Sequence, residues 1–131
     1  MNVNVKGMFL TCRAVIPHML KSGGGSIINI SSVSAVMSKF SEELMYLVSK
    51  SAVNAFTRIV AYQFADKGIR VNGIMPGMID TPLIYEEIMK LYNGDMEKMR
   101  QDRNARVPMK KMGEAWDVAN AALFLVSDKV K

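Results

Sequence analysis

Ser26-Ile27-Ile28-Asn29-Ile30-Ser31 and Ile69-Arg70-Val71-Asn72-Gly73-Ile74-Met75 are short, apolar, β-branched stretches bounded by glycine or proline. Each reads as a buried strand. Between them a helical pattern runs from roughly Glu42 to Asp66-Lys67, and Gly68 closes it. Its middle, Ala52 to Ala61, is apolar on more than one face, so one face covers a sheet while another seeks a second partner. Strand, helix and strand make a βαβ unit, hence a parallel pair with a right-handed crossover. The class this predicts is α/β.

The flanking segments extend that pattern. A first helix is expected from Val5 to Lys21, bent near its C-terminal end by Pro17 and terminated by Ser22-Gly23-Gly24-Gly25. Pro76-Gly77 ends the second strand. From Thr81 to Met109 the pattern is helical, Met-rich and charged, and Glu114 to Ser127 forms a last amphipathic helix. Parallel sheets are buried on both faces and usually hold more than two strands. Both strands read as central, so further strands are expected to cover their edges.

Composition removes several classes of function. The 131 residues allow one domain, and a half-hydrophobic, 22% charged composition is that of a globular protein. One cysteine, Cys12, and one histidine, His18, exclude an internal disulfide, a cysteine-cluster metal site and a two-histidine metal site. Cys12 lies in an apolar helical pattern and reads as a small buried hydrophobe. The net charge of +5 owes much to Lys98, Arg100, Arg103, Arg106, Lys110 and Lys111. Without interleaved aromatics this stretch reads as a solvated helix face, and no nucleic-acid partner is expected. Neither a signal-peptide core nor a membrane-length apolar run is present, which makes the cytoplasm the expected address and a membrane partner unexpected.

The chemistry centres on Tyr46 and Lys50, four residues apart on one helical face. A free phenol has a pKa of about 10. A lysine ammonium about 4 Å away favours the phenolate by about 4 kcal/mol at an effective dielectric near 20, roughly three pKa units. Such a pair suits general acid/base work near neutral pH. Asn29-Ile30-Ser31-Ser32 ends the first strand, and open α/β sheets bind ligands beyond strand C-termini. A hydroxyl there can bond a substrate oxygen as charge develops on it. Strand alternation lets only one of Ser31 and Ser32 face such a cleft, and both remain candidates. Asn4 also reads as a helix cap, and Tyr46 as a packing residue at a helix edge. Tyr62, Tyr85 and Tyr92 have no lysine four residues on and read as structural. Met78, Met89, Met96 and Met99 suit an adaptable pocket or simple core filling.

In order and spacing the chain resembles the short-chain dehydrogenase/reductase superfamily. The similar stretches are Asn4-Val5-Lys6-Gly7, Gly25 to Ser32, Tyr46-Leu47-Val48-Ser49-Lys50, Ile69-Arg70-Val71-Asn72 and Pro76-Gly77 with Thr81. Gly113 to Ala119 and Leu123 to Asp128 look like its C-terminal helix region. The resemblance implies a Rossmann-like, doubly wound parallel sheet, with residues 1–131 forming the C-terminal catalytic portion of one domain. The glycine-rich turn that grips the cofactor pyrophosphate, and the family's last strand, have no counterpart in these residues.

The resemblance also implies an NAD- or NADP-dependent oxidoreductase that interconverts a carbonyl and an alcohol on a small molecule. The segment that would tell the two cofactors apart has no counterpart here. Tyr46 would carry the substrate proton, Lys50 would bind the nicotinamide ribose, Ser32 would hold the substrate oxygen, and Asn4 would order a relay water. Pro76, Gly77, the Ile79 backbone and the Thr81 hydroxyl would meet the nicotinamide. Hydride transfer itself belongs to the cofactor. Homo-oligomers would form through the first and long helices. Residues 1–131 alone are expected to show no nicotinamide-dependent turnover. The alternative is a non-catalytic relative that serves as a dimerisation or interaction module.

Overall fold

The computed structural model describes residues 1–37, 44–83, 85 and 89–130. They form two compact units: Met1–Pro76 with Ala121–Lys131, and Gly77–Asn120.

In the first unit a π-helical turn, Asn2–Gly7, leads into helix α1, Met8–Lys21, which continues through Pro17. Strand β1, Gly25–Ile30, follows, and helix α2 is described from Leu44 to Phe64. The expected start of α2 at Glu42 lies outside the described residues. Strand β2, Ile69–Ile74, completes the unit's βαβ core. β1 and β2 are parallel, with Gly25 opposite Ile69 and Ile30 opposite Ile74, as the strand–helix–strand reading predicts.

Alternation along these strands divides the sheet into two faces. Ile27, Ile69 and Val71 face α1 and α2, where they close over Cys12, Ile16 and Val60. Ser26 and Arg70, paired across the ladder, face the other way. There they meet the end of the last helix, α4, Ala115–Val126. Ser26 Oγ donates to the Leu125 carbonyl at 3.4 Å, and the Arg70 guanidinium donates to the Leu125, Val126 and Ser127 carbonyls at 2.7, 3.4 and 3.1 Å. These carbonyls have no intrahelical partner, and a cation suits the negative end of a helix. The C-terminal end of a helix thus meets the sheet face opposite α1 and α2.

A 3-10 turn, Ala65–Lys67, follows α2, and Gly68 closes it in the left-handed region at φ 72°. Gly24 lies so close beneath it that a Cβ would stand 2.6 Å from the Gly68 carbonyl oxygen. Only glycine permits that approach of the two loops.

Within the stretch expected to be helical, Thr81 to Met109, the second unit has a 3-10 turn, Met89–Tyr92, and an α-helix, and a strand pair that the sequence reading passes over flanks it. The pair is parallel, β3 (Ile79–Asp80) with β4 (Gly113–Glu114), and the helix is α3, Met96–Arg106. Two residues per strand carry no readable alternation, which is why the sequence pattern passes over them. Asp95 caps α3 by accepting the Lys98 N–H at 2.9 Å. Met99, fully buried, and Met112 form its core, so Met99 fills core rather than lining a pocket. The side chain of Met89 lies outside the described residues.

The basic stretch is only partly the solvated face expected. Arg100 donates to Asp80 Oδ2 at 3.2 Å and to the Tyr85 hydroxyl at 2.7 Å, while that hydroxyl donates to Asp80 Oδ1 at 2.7 Å. Arg103 is half-buried, and burial, then the neighbouring Arg106, lowers its pKa. Tyr62, read as structural, is instead 90% exposed.

Candidate active site

The carboxyl ends of β1 and β2 run on together past the ladder. The Ser31 N–H donates to the Ile74 carbonyl at 2.7 Å, and the Val33 N–H donates to the Pro76 carbonyl at 3.0 Å. This brings the turn that carries Ser32 alongside Pro76. Ser32 Oγ accepts the Ser34 N–H at 3.1 Å, capping a one-turn 3-10 helix, Val33–Ala35. Its hydroxyl proton is not used by that bond.

Ser31 points elsewhere. Ile27, Asn29 and Ser31 share the strand face that meets α2, and Ser31 Oγ donates to the Lys50 carbonyl at 3.0 Å. The two candidate hydroxyls thus serve different neighbours, and only Ser31 is committed to α2.

Tyr46 and Lys50 lie one helical turn apart on α2, with the ammonium nitrogen 5.7 Å from the centroid of the tyrosine ring. Lys50 Nζ donates to the Ile30 carbonyl at 3.0 Å, at the very end of β1. An ammonium has three donors, so two remain. Burial lowers the Lys50 pKa from its ordinary value.

Asn4 is not a helix cap. It sits inside the first turn of the chain, and its Nδ2 donates to Ser49 Oγ at 3.0 Å. Ser49, 1% exposed, donates in turn to the Tyr46 carbonyl at 2.8 Å. Asn4 and Lys50 also line one cleft of about 230 Å³ with Cys12 and Asn29. Burial raises the Cys12 pKa, which suits a small hydrophobe rather than a nucleophile.

Sequence reasoning passes over Ser49, and also the Asn29 Nδ2 to Thr57 Oγ1 bond of 2.9 Å between β1 and α2. A hydroxyl bonding back to a helix carbonyl is ordinary, so Ser49 gives no sequence signal until the fold brings Asn4 to it. Asn29 at an inward strand position is the one signal that was legible, as a polar residue that must find a buried partner.

Asn4, Ser32, Tyr46, Lys50 and Pro76 belong to the first unit; Gly77, Ile79 and Thr81 belong to the second. A Cβ on Gly77 would meet nothing within 4 Å, so the backbone there is open to a ligand. The Thr81 side chain is half-buried.

The family profile described as "Enoyl-(Acyl carrier protein) reductase" matches residues 1–131 throughout. The chain belongs to the short-chain dehydrogenase/reductase superfamily. It is 44% identical over 128 residues to 2-(R)-hydroxypropyl-CoM dehydrogenase of Xanthobacter autotrophicus, covering 98% of this chain and 48% of that protein. It is 40% identical over 125 residues to 7alpha-hydroxysteroid dehydrogenase of Clostridium sardiniense, covering 95% and 45%.

Among solved structures, L-sorbose reductase from Gluconobacter frateurii, complexed with NADPH and L-sorbose, superposes with a TM-score of 0.87 at 32% identity. That match covers 96% of this chain and 49% of the other. The chain therefore spans about half the length of the curated relatives it matches. No described helix is long and apolar enough to cross a membrane.

Proposed function

We propose that this chain carries the proton-transfer site of an NAD- or NADP-dependent oxidoreductase that interconverts a carbonyl and an alcohol on a small molecule. The observation that carries the reading is the Lys50 ammonium, 3.0 Å from the Ile30 carbonyl and 5.7 Å from the Tyr46 ring. It sets a cation and a phenol together at the carboxyl end of a parallel strand, where α/β sheets hold their ligands. The nicotinamide cofactor supplies the hydride when bound. Among the described residues Lys50 Nζ spends one of its three donors, and the other two suit the vicinal hydroxyls of a ribose, so this part of the site fits the group.

In carbonyl reduction Tyr46 donates its phenolic proton to the substrate oxygen; in the reverse direction it takes the proton back. The Lys50 cation stabilises the negative charge left on the phenol oxygen. The Ser32 hydroxyl, whose proton is not used in its bond with the Ser34 N–H, donates to the substrate oxygen as charge builds there. Asn4 shares a cleft with Lys50 and orders a water that returns the proton from solvent. By the family resemblance Pro76, Gly77, the Ile79 backbone and the Thr81 hydroxyl would hold the nicotinamide end of the cofactor.

Self-association through α1 and α2 forms part of the same reading. Phe9 and Leu10 on α1, and Ile59 and Tyr62 on α2, are exposed apolar side chains on those two helices. Exposed apolar side chains on both helices support that reading.

The test is a fluorescence titration with NADH and NADPH, followed by a ketone panel, on a protein that joins these residues to the family's glycine-rich cofactor-binding half, because residues 1–131 alone are expected to show no turnover. Saturable binding, lost in Lys50→Ala, and turnover lost in Tyr46→Phe are expected. Binding that ignores Lys50→Ala would refute the reading. Stable dimers without any cofactor affinity would favour an interaction module.

A further inference from the structure

We propose that Ser31 is a positioning residue for Lys50, an inference that rests on reading Lys50 as the cofactor-binding cation. Two hydrogen bonds join residues 30–31 of β1 to one residue of α2, and they run in opposite directions. Ser31 Oγ donates to the Lys50 carbonyl at 3.0 Å, and Lys50 Nζ donates to the Ile30 carbonyl at 3.0 Å. Lys50 is therefore held at its backbone and at its tip by adjacent strand residues.

The Lys50 carbonyl does not need Ser31 for its own satisfaction. It lies inside α2, where the amide four residues on already bonds it, and a carbonyl has a second lone pair to spare. What the extra bond adds is register: it fixes where along β1 this turn of the helix sits. A lysine side chain has about 2 kcal/mol of rotamer entropy, and an unanchored one would point many ways. Pinning both ends leaves the two remaining ammonium donors one direction to face. The lowered pKa of Lys50 agrees with an ammonium kept partly out of water.

A second bond between the same two elements provides the control. Asn29 Nδ2 donates to Thr57 Oγ1 about two turns further along α2, and Thr57 Oγ1 donates to the Val53 carbonyl. It fastens helix to strand without touching Lys50.

The experiment follows the ε-carbon of Lys50 by NMR in protein labelled with ¹³C-lysine, assigned by Lys50→Arg, through a pH titration. Ser31→Ala is expected to raise the Lys50 midpoint toward that of free lysine and, in a protein that joins these residues to the family's cofactor-binding half, to weaken NADH and NADPH binding roughly five-fold, the effect of one ordinary hydrogen bond. Ser31→Thr keeps the hydroxyl and should restore both. Thr57→Val should lower the melting temperature and leave the Lys50 midpoint in place. If Ser31→Ala is too unstable, Ser31→Cys, of similar size and a poor donor, is read by the same criteria. A Lys50 midpoint unmoved by loss of the Ser31 donor, or moved equally by Thr57→Val, overturns the proposal. Lys50→Met with unchanged cofactor affinity would instead refute the reading of the site, while the midpoint in Ser31→Ala still decides whether Ser31 positions Lys50.

Discussion

The first unit fastens its helix to its sheet with short polar side chains, whereas the second is built on methionines and a tyrosine–arginine–aspartate cluster. In the first, Asn29, Ser31 and Ser49 are buried and each donates to one specified oxygen. Around them pack Ile69, Val71, Val53 and Val60, stiff β-branched residues. In the second, the core is Met99 and Met112, and Arg100 grips Asp80 and Tyr85 from a half-exposed helix. Thioether chains have three rotatable bonds and adapt to what surrounds them. One unit fixes atoms in place; the other fills space.

The largest expected effect tests whether fixed atoms are what matter in the first unit. In a protein that joins these residues to the family's cofactor-binding half, Tyr46→Phe preserves the ring and removes one hydroxyl, and turnover should fall by roughly a hundred-fold or more, with cofactor affinity nearly unchanged. Near-normal carbonyl reduction would mean that the phenol only packs.

Core substitutions sharpen the contrast next. Ile69→Ala should cost about 2–5 kcal/mol in urea denaturation, because a fully buried side chain leaves a cavity among rigid neighbours. Met99→Leu, equally buried, should cost less than about 1.5 kcal/mol, since an adaptable core repacks around a similar volume. Equal costs would erase the distinction.

Hydrogen exchange without substrate gives a third comparison. Amides of α3 should exchange faster than those of Ala52 to Ala61 in α2. Equal protection would make the second unit as firm as the first.

The smallest effect is a pH dependence. Lys50 has its folded pKa below the ordinary value of 10.5, so in the window between them the unfolded chain binds more protons. Stability should therefore rise with pH across that window, as the cost of burying the ammonium fades. Chemical denaturation of wild type against Lys50→Met, repeated up to that pH, should show wild type gaining on the variant. A constant difference would place the ammonium fully in water.

The same contrast explains what the sequence made legible. β1, β2 and the helix between them were readable because Ile27, Ile69, Val71, Val53 and Val60 carry strong strand and helix periods. Tyr46 and Lys50 were readable from a spacing of four. The parallel β3–β4 pair was not, because its two-residue strands have no period and their partners lie more than thirty positions apart. Nor was the direction of Ser31, which depends on where α2 lies along β1. Distance in space between Asn4 and Ser49 is equally invisible until α1 and α2 pack together.

Arg70 has one more consequence, and it concerns how the chain can change. By holding the Leu125, Val126 and Ser127 carbonyls, it returns the end of α4 to the strand that precedes the second unit. Gly77–Asn120 is thus an insertion whose two stems are tied to one body. The entropy of closing a loop grows slowly with its length, about 0.6 kcal/mol for each doubling. Residues can be added to or exchanged within that insertion with little penalty to the β1–β2 scaffold, which leaves Tyr46 and Lys50 where they are.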